Sequence, residues 1–110
     1  MMPVPLPDNE AQRLQALRSL HLLDSAPRAS FDTITALAAN LCQTPIALIS
    51  LIDSDRQWFL SRQGMEDIVQ TSRSEAFCAH AICLSDPVME VRNATTDHRF
   101  ADNPFVTARR

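Results

Sequence analysis

The segment Ile46 to Ile52 constrains the fold more than any other part of the chain. It follows Pro45, is apolar except for Ser50, and carries apolar side chains at both odd and even positions. Successive side chains of a strand point to opposite faces, so a strand of this kind needs cover on both sides and suits the interior of a layered structure better than an exposed edge. Asp53, Ser54 and Asp55 supply turn chemistry directly after it. Arg56 to Arg62, in which Trp58 and Leu60 alternate with polar neighbours, reads as the returning strand of a hairpin. Gly64 is expected to take a positive φ just beyond it.

Helices flank this hairpin in the sequence. Asp8 is placed to cap a first helix with Glu10 in its first turn and Leu14, Leu17 and His21 along one stripe, Leu20 beside it. Asp24 to Pro27 breaks that pattern. Ser30 is placed to cap a second helix whose apolar face is Phe31, Ile34, Leu37, Ala38 and Leu41, ended by Pro45 because a residue before proline is pushed out of the helical region. Ser74 opens a third helical segment, Glu75 to about Leu84, terminated by Pro87. Phe77, Ala81 and Leu84 share one side of it, and the small residues Ala76, Ala79 and Cys83 occupy the others, a pattern expected of a helix buried nearly all round. Val88 to Val91 is a short strand candidate, and Asn93 to Arg110 reads as a loop with one helical turn around Arg99 to Asp102. The proline-rich lead-in, residues 1–7, is expected to be extended or flexible, with the domain running from 8 to 110.

Composition narrows the function classes. The chain has 110 residues, enough for one small core, and a formal net charge of -3 from interspersed acids and bases. With no block of Lys or Arg to track a phosphate backbone or an anionic bilayer, neither nucleic acid nor a membrane surface is an expected partner. No apolar run approaches the roughly 20 residues needed to span a bilayer. Nothing at the N-terminus reads as an export signal, so the expected location is the cytosol. Gly64 is the single glycine, which excludes a phosphate-cradling glycine-rich loop. Cys42, Cys78 and Cys83 lack CxxC spacing and are expected to be reduced thiols with no metal site.

Several strings of the sequence are similar to those of GAF domains, the bacterial modules that precede histidine kinase or diguanylate cyclase domains. They are NEAQRLQALRSLHLLDSAP, PIALISLIDSDRQWFLSRQG, SEAFCAHAI and ATTDHRFADNPFV, which together cover most of residues 9 to 106. The resemblance implies an α+β fold: a GAF/PAS-like antiparallel sheet with flanking helices on one face and a pocket lid on the other, here without the C-terminal central strands. It further implies a sensory module, not an enzyme, that binds an unidentified small ligand and forms a homodimer through the N-terminal helix to control an attached output domain. No particular cofactor follows from it.

Candidate site residues are weighed against plainer roles. Cys78 and His80 invite a nucleophile reading, yet residues two apart on a helix point in nearly opposite directions, so Cys78 is read as a small buried hydrophobe. His80 and Cys83 share a face, but no third ligand stands at a helpful spacing. Asp97, His98 and Arg99 resemble an anion site and more often form local turn contacts. Trp58 either packs the core or walls a pocket. The residues expected to line the ligand pocket, mainly by resemblance, are Trp58, Phe77, Cys78, His80 and Asp97. The rival reading is a thiol redox enzyme of the same fold that reduces free methionine sulfoxide, and a third is a ligand-free dimerisation unit.

Overall fold

The computed structural model describes residues 4–107, an α+β arrangement of a three-stranded antiparallel sheet and four helices. In chain order these are α1 (Glu10–Ser19), α2 (Ala29–Cys42), β1 (Ala47–Ile52), β2 (Arg56–Gln63), β3 (Gln70–Ser72), a 3-10 turn (Arg73–Glu75), α3 (Phe77–Ala81) and α4 (Pro104–Thr107). Residues 1–3 of the expected lead-in and the last three of the expected domain lie outside the described residues.

The hairpin forms where the sequence predicts it. The Asp53 amide donates to the Arg56 carbonyl at 2.9 Å, and the Asp53 carboxylate accepts from the Ser54 amide at 2.8 Å, the side-chain turn contact for which Asp is favoured. The strand order is β1-β2-β3. Between Ile49 and Ser50 the register shifts, because Leu60 is an extra residue on β2: Ile49 pairs with Ser61 and Ser50 with Phe59. Gly64 has φ +81, and a Cβ there would run into the carbonyl oxygen of Pro45, so this turn admits only glycine comfortably.

The sheet lies between two layers. On one face the Ser61 hydroxyl donates to the Asp32 carboxylate at 2.6 Å and lies 2.8 Å from the Thr35 hydroxyl, which seats α2 on β2 through polar groups. Thr35 is the buried residue of that helix. On the other face Ile52 forms a core with Ala76 and Ala79, joined by Val4, Cys78 and Ile82. Val4 belongs to the lead-in expected to be loose, and it packs on this core instead.

Several elements differ from the sequence expectation. The apolar residues Ile34, Leu37 and Leu41 face solvent, not the sheet, because the Asp32–Thr35–Ser61 contacts turn the other side of α2 inward. The third helix is only Phe77–Ala81, preceded by the 3-10 turn. Val88 to Val91 is not a strand: Val88 is 74% exposed and no described strand lies beside it. His21 lies beyond α1 at φ 53. The first helix buries none of its residues and is held by polar contacts at its N-terminal end.

Candidate functional site: an apolar cleft and its aromatic flank

An open cleft of about 400 Å³ lies over the β1–β2 face opposite α2. Leu48, Phe59, Met65, Phe77, Cys78 and Phe105 make most of its wall. Alternation along β2 explains why Gln57 and Phe59 face it while Trp58 does not. On its floor the Gln57 amide nitrogen donates to the Thr71 hydroxyl at 3.1 Å, a cross-strand contact between β2 and β3. Phe105 arrives from α4, whose position is set by Asn103. That side chain, 1% exposed, donates to the Glu75 carbonyl at 2.8 Å and accepts from the Phe105 amide at 2.9 Å.

The cleft wall continues into an aromatic stack. Phe77 lies parallel to Phe100 with ring centroids 4.0 Å apart, His80 meets Phe100 edge-on at 5.1 Å, and the Arg99 guanidinium sits 5.0 Å from the Phe100 centroid. The Asp97 carboxylate accepts from the Arg99 guanidinium at 2.8 and 3.0 Å and from the Arg99 amide at 2.9 Å. The Arg99 hydrogen bonds hold Asp97 well below the usual carboxylate range. Burial, then the positive charge of Arg99, pushes the His80 imidazole down, with Asp97 acting in the opposite sense.

Of the residues expected to share one pocket, Phe77 and Cys78 border the cleft, and His80 and Asp97 lie behind it around Phe100. Trp58 points to the α2 side of the sheet, near Asp32 and Leu60. Sequence reasoning did not single out Phe59, Met65 or Phe105 as cleft residues. Phe59 was reachable from strand parity, whereas Phe105 comes from a loop whose path no local pattern reveals.

The remaining charged groups form arginine–carboxylate clusters. Arg73, 8% exposed at its side chain, donates to Glu10 at 2.6 and 3.1 Å and to the Asp53 carbonyl at 3.0 Å. Arg13 donates to Glu10 at 3.0 Å and to the Ile52 carbonyl. Arg56 joins Asp24 and Asp53 at 2.8 and 3.1 Å. Hydrogen bonds from Arg73 hold Glu10 and those from Arg56 hold Asp24 below the ordinary carboxylate range, and Asp53 is held low against its burial by the Ser54 amide and then by Arg56. Among the described residues no three His, Cys, Asp or Glu side chains gather as a metal site would require, and Cys42, Cys78 and Cys83 are free thiols.

No protein-family model matches the chain. It is similar to the cyclic di-GMP phosphodiesterase PA2567 of Pseudomonas aeruginosa, with 46% identity over 106 residues, 96% of this chain and 18% of that protein. The chain therefore spans less than a fifth of the relative's length. This overturns the assignment to a GAF sensory module of a histidine kinase or diguanylate cyclase, which rested on short strings. The non-enzyme reading and the methionine sulfoxide reductase alternative are likewise corrected, since the relative is named for phosphodiester hydrolysis. No helix among the described residues is long and apolar enough to cross a membrane.

Proposed function

We propose that this chain works as part of a cyclic di-GMP phosphodiesterase. The observation that carries the reading is the 46% identity, which extends over 96% of the chain and so involves every element of the fold. Hydrolysis of a phosphodiester needs a water activated by a base or a metal and a cationic environment for the charge that develops on the phosphoryl oxygens. In the described residues the arginines nearest to such a role, Arg13, Arg56, Arg73 and Arg99, are each engaged with a carboxylate. These clusters support a structural role: they join α1 to the hairpin turn and order the loop under Phe100. The three free thiols fit a reducing compartment, and we place the protein in the cytoplasm on that ground.

The test is turnover of cyclic di-GMP to the linear dinucleotide, followed chromatographically, with the native full-length protein and with the 110-residue chain side by side. Hydrolysis by either preparation supports the reading, and hydrolysis by neither under conditions where an authentic phosphodiesterase works removes it.

A further inference from the structure

A second pocket, of about 370 Å³, lies on the α2 side of the sheet, between that helix, strand β2 and the β2–β3 loop. No residue of β1 lines it. Trp58 and Leu60, each 7% exposed, give it an apolar floor, and Val69, half exposed, stands at its rim.

Three polar side chains of this pocket keep hydrogen-bonding capacity that the fold does not use. The Trp58 indole N–H meets no acceptor among the described residues although its side chain is buried, whereas a buried indole N–H ordinarily has a partner. The Asp32 carboxylate accepts from Ser61 through Oδ1, and its Oδ2 has no donor among the described residues. Arg62 donates through Nη1 to the Glu66 carbonyl and, at 3.1 Å, to the Ile68 carbonyl. Its Nε and Nη2 have no described acceptor, and no described carboxylate pairs with it, unlike Arg13, Arg56, Arg73 and Arg99. The Glu66 carboxylate accepts from the Gly64 amide at 3.0 Å.

An open anionic acceptor thus stands on the helix wall, and open donors, one of them cationic, stand on the strand and loop. A ligand with negative charge alone would be repelled by Asp32 and Glu66, and one with positive charge alone would leave the indole N–H and Arg62 without acceptors. A zwitterion satisfies both ends, and the apolar floor selects one with a short hydrocarbon group. We propose that this pocket binds a free aliphatic α-amino acid. Its ammonium donates to Asp32 Oδ2, its carboxylate accepts from Arg62 and the Trp58 indole N–H, and its side chain covers Leu60 and Val69. The inference is independent of the phosphodiesterase reading.

Trp58 is the single tryptophan of the chain, so its fluorescence reports on this pocket directly. Titration of the 110-residue chain with L-valine, L-leucine and L-isoleucine is expected to give a saturable change for at least one of them, and calorimetry of the native full-length protein is expected to show the same preference. Leucinamide, which lacks the carboxylate, and 4-methylpentanoate, which lacks the ammonium, are each expected to bind at least about tenfold more weakly than leucine, the scale of one lost charge-assisted hydrogen bond. Asp32→Asn keeps an acceptor for Ser61 and is expected to weaken amino-acid binding by a similar factor with the unfolding midpoint little changed. Should that variant fail to fold, Arg62→Gln and the two leucine analogues decide. Binding of none of the three amino acids overturns the proposal. So do analogues that bind as well as leucine, a folded Asp32→Asn chain that binds unchanged, or binding by the 110-residue chain that the full-length protein lacks, which would show the pocket filled by further chain.

Discussion

Two residues carry constraints out of proportion to their size. Gly64 combines φ +81 with a backbone approach that leaves no room for a Cβ against the Pro45 carbonyl. Gly64→Ala is therefore expected to lower stability by about 1–3 kcal/mol, the scale for a side chain forced into a sparsely populated backbone region, read as a fall in the urea midpoint at unchanged slope. His80 carries a different signature. The residue is 8% exposed, and burial beside Phe100, reinforced by Arg99, lowers its pKa from the ordinary 6.5. Above pH 6.5 the ring is neutral in both folded and unfolded chains, and the full stability is present. As pH falls through 6.5 toward the folded pKa, the unfolded chain takes up the proton first and stability declines. The urea midpoint is expected to drop between pH 7.5 and 5.5, and His80→Gln to flatten that slope. The carboxylates held low by arginine act below about 4.5, so the two windows separate. An equal slope in the variant would show that another group is responsible.

At the scale of elements, the α1 helix is held by charge where a helix of a small domain is ordinarily held by an apolar stripe. It buries no residue, and its N-terminal turn is clamped by Arg73 and Arg13 on Glu10. The Nε of Arg73 is buried without a partner, so that guanidinium depends on Glu10 and on the Asp53 and Ser54 carbonyls. Glu10→Gln is expected to cost about 2–3 kcal/mol, below the ~3–5 of a fully buried pair because those carbonyl bonds remain. Amide exchange is expected to rise in α1 well beyond β2, and equal acceleration in both would deny the clamp. This clamp was not legible in the sequence, since Glu10 and Arg73 lie far apart in the chain and the place of Glu10 in the first turn of a helix does not point to Arg73. The hairpin was legible, because the apolar run, the Asp53–Asp55 turn and the alternation around Trp58 agree at every level. Strand β3 was missed: Gln70–Ser72 is too short and too polar for periodicity to register, and only pairing with Arg56 to Trp58 makes it a strand. Val88 failed as a strand for the converse reason, having β-branched chemistry and, among the described residues, no strand to pair with. In the cleft, Phe77 and Cys78 were expected mainly by resemblance and not from spacing, while Phe105 required the Asn103 contact that only the folded chain creates.

For the whole molecule, the sharpest departure from a simple amphipathic reading is the outward turn of α2. Ile34, Leu37 and Leu41 are 55%, 53% and 73% exposed, and they lie on one stripe by spacing. The apolar pattern that predicts this helix is real, but it does not say which side of the helix meets the sheet. Asp32, Thr35 and Ser61 decide that through three-way hydroxyl and carboxylate bonding, and a buried polar contact of this kind is costly to break once formed. The two sides of α2 should therefore respond oppositely to substitution. Thr35→Val, which removes the hydroxyl facing Ser61, is expected to destabilise by about 1–3 kcal/mol. The double change Leu37→Lys and Leu41→Glu on the outer stripe is expected to move stability by less than about 0.5 kcal/mol, as at ordinary exposed positions. Its visible effect is expected instead in the binding of a hydrophobic dye, which falls when an exposed apolar patch is broken up. If the double variant lost stability as Thr35→Val does, the stripe would be packed against something in solution, and α2 would have to be assigned an inner surface on both of its sides.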